Sequence, residues 1–311
     1  MQYRRLGRLR ESAESLEQSL RLKPDPRVGV ILGFTYMESG RHAEAIPVLS
    51  EGFASGLPDN ITAVAGQRLV ECYLATGGEE RALPVLEKLR RMAPEDPGVL
   101  YLASKVYMSL WNSAFALLIT KAPGSYQLHL IQAEGLEAQE RFDEAAQEYR
   151  QILKIAPQVR GMHYRLGRVL LRAGSAEAET AALAEFQKEI ESNPGDFASL
   201  AELGEVHLKR GQIEEAARYF SEALKFHEQY LPARIGLGKA FLASRKWPEA
   251  LAQLEAAAKL DPAEEAAQYN LMLVYRGLGR EDLARKAAEN FQHLRQLRQS
   301  RPSPLKAPPR P

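Results

Sequence analysis

The sequence predicts an all-α chain, a right-handed superhelical solenoid of helix-turn-helix repeats, and three observations carry that prediction. The chain resembles itself about every 34 residues, most plainly in LGEVHLKRGQIEEAARYFSEAL from Leu203, LGKAFLASRKWPEALAQLEAAAKLDP from Leu237 and LMLVYRGLGREDLARKAAENF from Leu271. Within each repeat the apolar residues fall at i, i+3, i+4 and i+7 on both halves, the spacing of two amphipathic helices. A glycine commonly separates the halves and a proline often follows the second, the residues that reverse and end helices. One such hairpin cannot bury both faces alone, so neighbours stack and leave a concave surface lined by the first helix of each repeat.

Each position in the repeat has a physical reason. Leu-Gly pairs open the first helix at Leu32-Gly33, Leu166-Gly167, Leu203-Gly204 and Leu237-Gly238, with Leu69-Val70 and Leu271-Met272 as variants. A large residue follows one turn later, at Tyr36, Tyr73, Leu170, His207, Phe241 and Tyr275. Turn glycines stand at Gly40, Gly77, Gly174, Gly211 and Gly279, where a reversing chain needs positive φ; Glu140 and Arg245 replace glycine, so their turns are expected to be built differently. Where the second helix crosses the first, only a methyl fits, and the residues are Ala45, Ala82, Ala145, Ala182, Ala216, Ala250 and Ala284. Its partner one turn on is Leu49, Leu86, Tyr149, Phe186, Phe220, Leu254 or Ala288, and closing prolines stand at Pro24, Pro58, Pro94, Pro123, Pro157, Pro194 and Pro262.

This pattern resembles the tetratricopeptide repeat (TPR), and the resemblance covers most of the chain. It divides the sequence into an incomplete N-terminal repeat over 1–25 with only its second helix, repeats over 26–96, a shortened repeat over 97–124, repeats over 126–298 closed by a polar capping helix, and a Pro/Arg-rich tail over 299–311. Two repeats are about three residues long, with the excess expected in the connection from Gly56 to Thr62 and the turn from Gly174 to Thr180. The repeat from Pro97 to Gly124 lacks a turn glycine, which places its reversal at Trp111-Asn112 and makes it either a degenerate hairpin that still packs or a bend between two subarrays. Met1 to Gly7 read as the last turn of a first helix, while Leu9, Ala13, Leu16 and Leu20 present an apolar stripe at an uncapped edge, a place for self-association.

Composition fits a helical array and excludes several functions. With 41 Lys and Arg against 40 Asp and Glu, the formal charge of +1 gives no general drive toward nucleic acid or an anionic membrane. Cys72 is the only cysteine, so neither an intramolecular disulfide nor a thiolate metal cluster can form. No apolar run is expected to reach the roughly 18 residues of a membrane span. The charged start is unlike an export signal, which places the chain as given in the cytoplasm, or in the periplasm or outside the cell if a signal precedes Met1. In the tail, Pro308 and Pro311 match a PxxP spacing, a weak signal when isolated.

Catalytic patterns are missing: the sequence has no HExxH, no phosphate-cradling glycine loop and no CxxC, so no cofactor or metal is expected and the chain reads as non-enzymatic. Function then rests on the concave face. The inward candidates are Gln67, Arg68 and Glu71; Tyr101 and Lys105; Glu134; Tyr164, Arg165, Arg168 and Arg172; Glu202, Glu205 and Lys209; Lys239; and Tyr269, Asn270 and Arg276. Arg165, Arg168 and Arg172 are spaced to form one stripe suited to carboxylates, though the same residues also fit a solvated surface neutralised by Glu134, Glu202 and Glu205. The resemblance implies a protein or peptide partner. Some TPR proteins clamp a terminal carboxylate with lysine, asparagine and arginine, and the matching places here hold Phe34, Glu71, Lys105, Glu134, Arg168 and Glu205, which departs from that pattern. The asparagine ladder of the glycosyltransferase arm is missing too, Asn270 being its sole inward candidate. The leading reading is an interaction scaffold, with the arm of a larger enzyme such as a glycosyltransferase and an exported or structural assembly factor as the alternatives.

Overall fold

The structure is a computed structural model that describes residues 8–300. Among those residues it contains helices and no strand, an all-α helical-repeat solenoid. The chain forms two compact bodies that meet in sequence at Pro123-Gly124. The N-terminal body holds α1 (Leu9–Leu22), the hairpins α2 (Pro26–Glu38) with α3 (His42–Ala54) and α4 (Asp59–Ala75) with α5 (Glu79–Met92), and then α6 (Pro97–Lys121). The C-terminal body holds five hairpins: α7 (Tyr126–Ala138) with α8 (Phe142–Ile155), α9 (Met162–Ala173) with α10 (Ala176–Ser192), α11 (Phe197–Lys209) with α12 (Ile213–Phe226), α13 (Leu231–Ala243) with α14 (Trp247–Leu260), and α15 (Glu265–Gly277) with α16 (Glu281–Ser300).

Several helices begin where a side chain satisfies one of their free N–H groups. Asp25 accepts from the backbone N–H of Arg27 at 2.9 Å, Asp96 from Val99 at 2.8 Å, Asp196 from Ser199 at 2.7 Å, and Ser175 from Ala178 at 3.0 Å. Pro26 and Pro97 stand in the first turns of α2 and α6, where no amide hydrogen is needed.

Inside each hairpin the small residues are buried as the pattern requires. Ala45, Ala82, Ala145, Ala182, Ala216 and Ala250 are completely enclosed. The glycine on the facing helix has an equally direct cause, because a Cβ added at Gly204 would lie 2.8 Å from the Phe220 ring and one at Gly238 would lie 2.6 Å from Leu254. The bulky partner therefore fills the space that the glycine vacates.

Four expectations are corrected. The turns at Glu140 and Arg245 are not built differently: both residues adopt positive φ, 60° and 56°, as Gly40, Gly211 and Gly279 do. The following amide donates to a carbonyl five residues back at both, Arg141 to Leu136 at 3.0 Å and Lys246 to Phe241 at 2.9 Å, as Gln212 does to His207 at 2.9 Å. The extra residues of the two long repeats also lie elsewhere than in loops, since α4 and α10 are each 17 residues long where most neighbours have 12 to 14.

At the N-terminal edge, Leu16 and Leu20 pack on the core of their body, and Tyr36 donates its hydroxyl hydrogen to Glu17 at 2.7 Å, so α1 is docked on α2 rather than left with a bare stripe. The readings of Met1–Gly7 and of the tail beyond Ser300 lie outside the described residues.

The fourth correction concerns 97–124, which is a single helix of 25 residues and not a shortened hairpin. After Gly98 nothing up to Lys121 is a glycine or proline, and Trp111 stacks on Phe115 one turn on, at 5.0 Å and 16°, across the place where a reversal was expected. No helix breaker stands at the expected reversal, and the helix runs through it. As a result α6 is, by length and composition alone, long and apolar enough to cross a membrane, against the expectation that no segment would be.

The left-handed turns give a stability test. A residue with a Cβ in this conformation costs roughly 1–2 kcal/mol, against which glycine loses about 0.4–1 kcal/mol through its freer unfolded chain. Arg245→Gly is therefore expected to raise the stability of the folded protein by about 0.5–1 kcal/mol, read as an increase in the urea midpoint without a change in slope. An unchanged or lower midpoint contradicts the strained-turn account.

Candidate functional site

Two recesses lie on first helices of the C-terminal body. The first, of about 340 Å³, is lined by Glu134 and Glu137 from α7 and by Tyr164, Arg165 and Arg168 from α9. The second, of about 350 Å³, takes Ala201, Glu202 and Glu205 from α11, Leu231, Pro232, Ile235, Gly236 and Lys239 from α13, together with Phe220, Tyr230 and Glu264.

The helix that carries the arginines is fixed at its start by a buried carboxylate. Gly161, in a left-handed conformation with φ 80°, precedes α9, and Glu189 reaches across from α10. One Glu189 oxygen accepts from the backbone N–H of Gly161 at 2.9 Å and the other from Tyr164 at 3.2 Å. Two of the free amides of the first turn are thus satisfied from another helix. Glu189 is therefore a positioning residue for the recess wall, and its side chain never enters the recess.

Within the first recess the charges are mostly spoken for. Arg165 donates to Glu134 at 2.7 Å, and the Tyr149 hydroxyl donates to Glu137. Burial, reinforced by the bond to Glu137, pushes the Tyr149 pKa up to about 12. Arg168 lines the recess, lies over the Tyr164 ring at 5.7 Å, interacts electrostatically with Glu202, and has no carboxylate within 4.0 Å among the described residues.

The second recess differs in chemistry. Phe220 lies beneath Gly236, where a Cβ would meet the ring at 2.3 Å, and Ile235, Leu231 and Pro232 continue this apolar surface. Lys239 pairs with Glu205 at 3.2 Å on one side. Burial raises the pKa of Glu202, with Arg168 and Lys209 opposing the shift, and burial also pushes Tyr230 up to about 12.

The other sequence candidates divide. Arg172 leaves the expected stripe and lies over the Phe142 ring at 4.7 Å, beside the turn that holds Glu140 and Arg141, because α9 carries it one turn beyond Arg168 to the far end of its hairpin. Asn270 is buried and donates to the Ala266 carbonyl at 2.7 Å, so it serves its own helix and not a groove. Tyr269 is exposed and contacts Phe291 of α16 with ring centroids 5.5 Å apart. Lys209 and Arg276 are exposed, outside both recesses. In the N-terminal body, Arg68 pairs with Glu71 at 2.7 Å, Gln67 donates to Asp96 at 3.5 Å, and Lys105 lies over the Tyr101 ring at 5.4 Å.

Tyr230, Phe220 and Ile235 were absent from the sequence-based set. Gly236 was the available signal: it precedes Leu237-Gly238, where the repeat needs no second glycine, and it marks the place where the Phe220 ring comes close. His207 stacks on Tyr219 at 5.2 Å and is hydrogen-bonded to Gln212 at 2.7 Å, a packed residue rather than a ligand. Cys72 is buried and its thiol is pushed up to about 11 by that burial. No group of three or more His, Cys, Asp or Glu side chains is placed to hold a metal among the described residues.

The raised Glu202 pKa has a measurable consequence. The folded state holds that proton more tightly than the unfolded chain, so the stability linked to this group is fully present below the unfolded pKa and is lost as pH rises through the folded one. Glu202→Gln removes the ionisable group. Its thermal midpoint is expected to gain on that of the parent as pH rises from about 4.5 to neutrality; parallel pH profiles contradict the assignment.

Family models of the tetratricopeptide repeat match residues 3–26, 36–106, 130–181, 180–230 and 207–274. No curated protein matches the chain. Among solved structures, the MamA RS-1 ArsTM double mutant is 18% identical with a TM-score of 0.50, covering 57% of this chain and 97% of that one. YrrB, described as a TPR protein with an unusual peptide-binding site, is 21% identical with a TM-score of 0.47, covering 59% and 93%. PilW, a type IV pilus biogenesis factor, is 16% identical with a TM-score of 0.48, covering 78% and 96%. The repeat pattern, the hairpins built from it and models that match well over half of the sequence lead to one conclusion: the chain belongs to the tetratricopeptide repeat family.

Proposed function

We propose that this protein is a non-enzymatic interaction scaffold that binds an extended peptide segment on the first-helix face of the C-terminal body. The observation that carries the reading is the pairing of two unlike recesses on that face. One presents the Arg168 guanidinium with no carboxylate in salt-bridge range among the described residues, and the other presents an apolar floor of Phe220, Ile235 and Leu231.

The ligand chemistry follows from these groups. A carboxylate side chain is held by Arg168, whose planar fork suits bidentate capture. An aliphatic or aromatic side chain fills the apolar recess, where area leaves water without loss of a polar bond. Glu134, Glu202 and Glu205 border the same face and disfavour a uniformly acidic ligand, which selects mixed charge with an apolar anchor.

Selection of random peptides displayed on phage against the full chain tests this. The selected peptides are expected to combine an acidic residue with an apolar anchor. Removing a charge-assisted hydrogen bond worth about 1.5–3 kcal/mol weakens binding about 10- to 100-fold, so Arg168→Ala is expected to lose that much affinity and most of its salt dependence while keeping its helical circular dichroism. Equal binding by parent and folded variant, at low and high salt alike, contradicts the groove assignment.

A further inference from the structure

One face of α6 is built into its body and the other is exposed. Val99, Leu102, Ala103 and Val106 are buried in the core beside α5, whereas on the opposite side Tyr101 is 59% exposed, Met108 58% and Trp111 43%. No charged residue occurs in the 15 positions from Val106 to Thr120. Leu117 and Ile119 are exposed as well, so the end of this helix is apolar nearly all round, a composition normally found only where other chains or lipid surround a helix.

The exposed face has an internal order. The exposed Tyr101, Ser104, Met108 and Trp111 and the half-buried Phe115 and Leu118 follow one another at spacings of three and four, the seam of a two-stranded coiled coil. We propose that this seam pairs with the same seam of a second copy of the chain, the two α6 helices running antiparallel about the midpoint between Ser109 and Leu110.

Self-complementarity identifies the occupant. Reversal about that midpoint sets Tyr101 against Leu118, Ser104 against Phe115 and Met108 against Trp111, so the smallest seam residue meets a large ring. It also brings Lys121 opposite Gly98, next to the exposed Glu95 and to Asp96, and sets Lys105 against the neutral Ala114. Opposite charges meet at both ends and no like charges face each other. The exposed parts of Tyr101, Met108, Trp111 and Phe115 together offer on the order of a few hundred Å² per copy, the size of a small, reversible interface.

Two features favour this pairing over a membrane. The uncharged stretch spans about 22 Å at 1.5 Å per residue, short of the ~30 Å hydrocarbon core. Half of the helix is also fixed on one side to a charged protein body. The repeat gives a positive reason as well: each of the other first helices is followed within its own body by a second helix that packs on it, α6 is the last helix of its body, and the TPR matches skip residues 107–129. The copy supplies the missing helix reciprocally.

Sedimentation velocity of the full chain is the first experiment, with Met108→Glu as the variant. The parent is expected to sediment as a dimer at micromolar concentration, and the charge placed in the seam is expected to weaken dimerisation at least about 100-fold while leaving the circular dichroism unchanged. Met108→Cys is the second variant, treated with a short bis-maleimide and compared with Leu22→Cys, an exposed position on α1. Cys72 is buried and does not contribute to labelling. A covalent dimer is expected from Met108→Cys alone. A parent that stays monomeric, a dimer that Met108→Glu leaves intact, or a monomer that floats with phosphatidylcholine–phosphatidylglycerol vesicles and loses them on Met108→Glu overturns the proposal.

Discussion

Close approach of two helices within each hairpin is the constraint on which the rest of the structure depends. It is met from both sides at once. The second helix presents an alanine at the crossing, and in four of the hairpins the first presents a glycine beneath the bulky residue, Gly33 for Leu49, Gly167 for Phe186, Gly204 for Phe220 and Gly238 for Leu254. Packing at this density leaves little freedom, since a single added methyl group must displace a neighbour. The crossing sets which side of each first helix is buried, and so which residues remain to face a ligand.

That consequence runs directly to the candidate site. Gly167 lies against Phe186 in the same way, which places α9 on α10, and Glu189 of α10 then reaches the start of α9 to hold Gly161 and Tyr164. Arg165 and Arg168 project from a helix fixed at both its crossing and its end. The Phe220 ring that fills the space above Gly204 also lies under Gly236 of the following hairpin, and so becomes the floor of the second recess. One aromatic ring thus serves the crossing, the stacking of neighbours and the binding surface.

The repeat period, the small residues and the hairpins were legible because each rests on contacts within a span of about 34 residues. Local chemistry determines such contacts. Glu140 and Arg245 were misread because sequence shows the missing glycine but not that the surrounding hairpin imposes the same positive φ on whatever residue stands there. The helix α6 was misread for the converse reason: the repeat called for a reversal, while the residues from Ser104 to Lys121 contain no glycine or proline to make one. At the site, Arg168 and Tyr164 were legible from helical spacing. Arg172 and Asn270 were not, because their fates depend on the Phe142 ring and the Ala266 carbonyl, whose places only the folded chain defines. Tyr230 was missed for a similar reason, since it enters the recess from outside the first helices.

A double-mutant cycle at Gly238 and Leu254 tests the central claim most directly. If glycine stands at 238 because Leu254 occupies the place of its Cβ, at 2.6 Å, then Gly238→Ala is costly in the parent and much less so once Leu254→Ala has vacated that space. Urea unfolding of the four proteins is predicted to give a coupling of about 0.5–3 kcal/mol, with the double variant more stable than the sum of the single changes allows. Additive effects, within about 0.3–0.5 kcal/mol, would show that the close crossing is not what selects these residues.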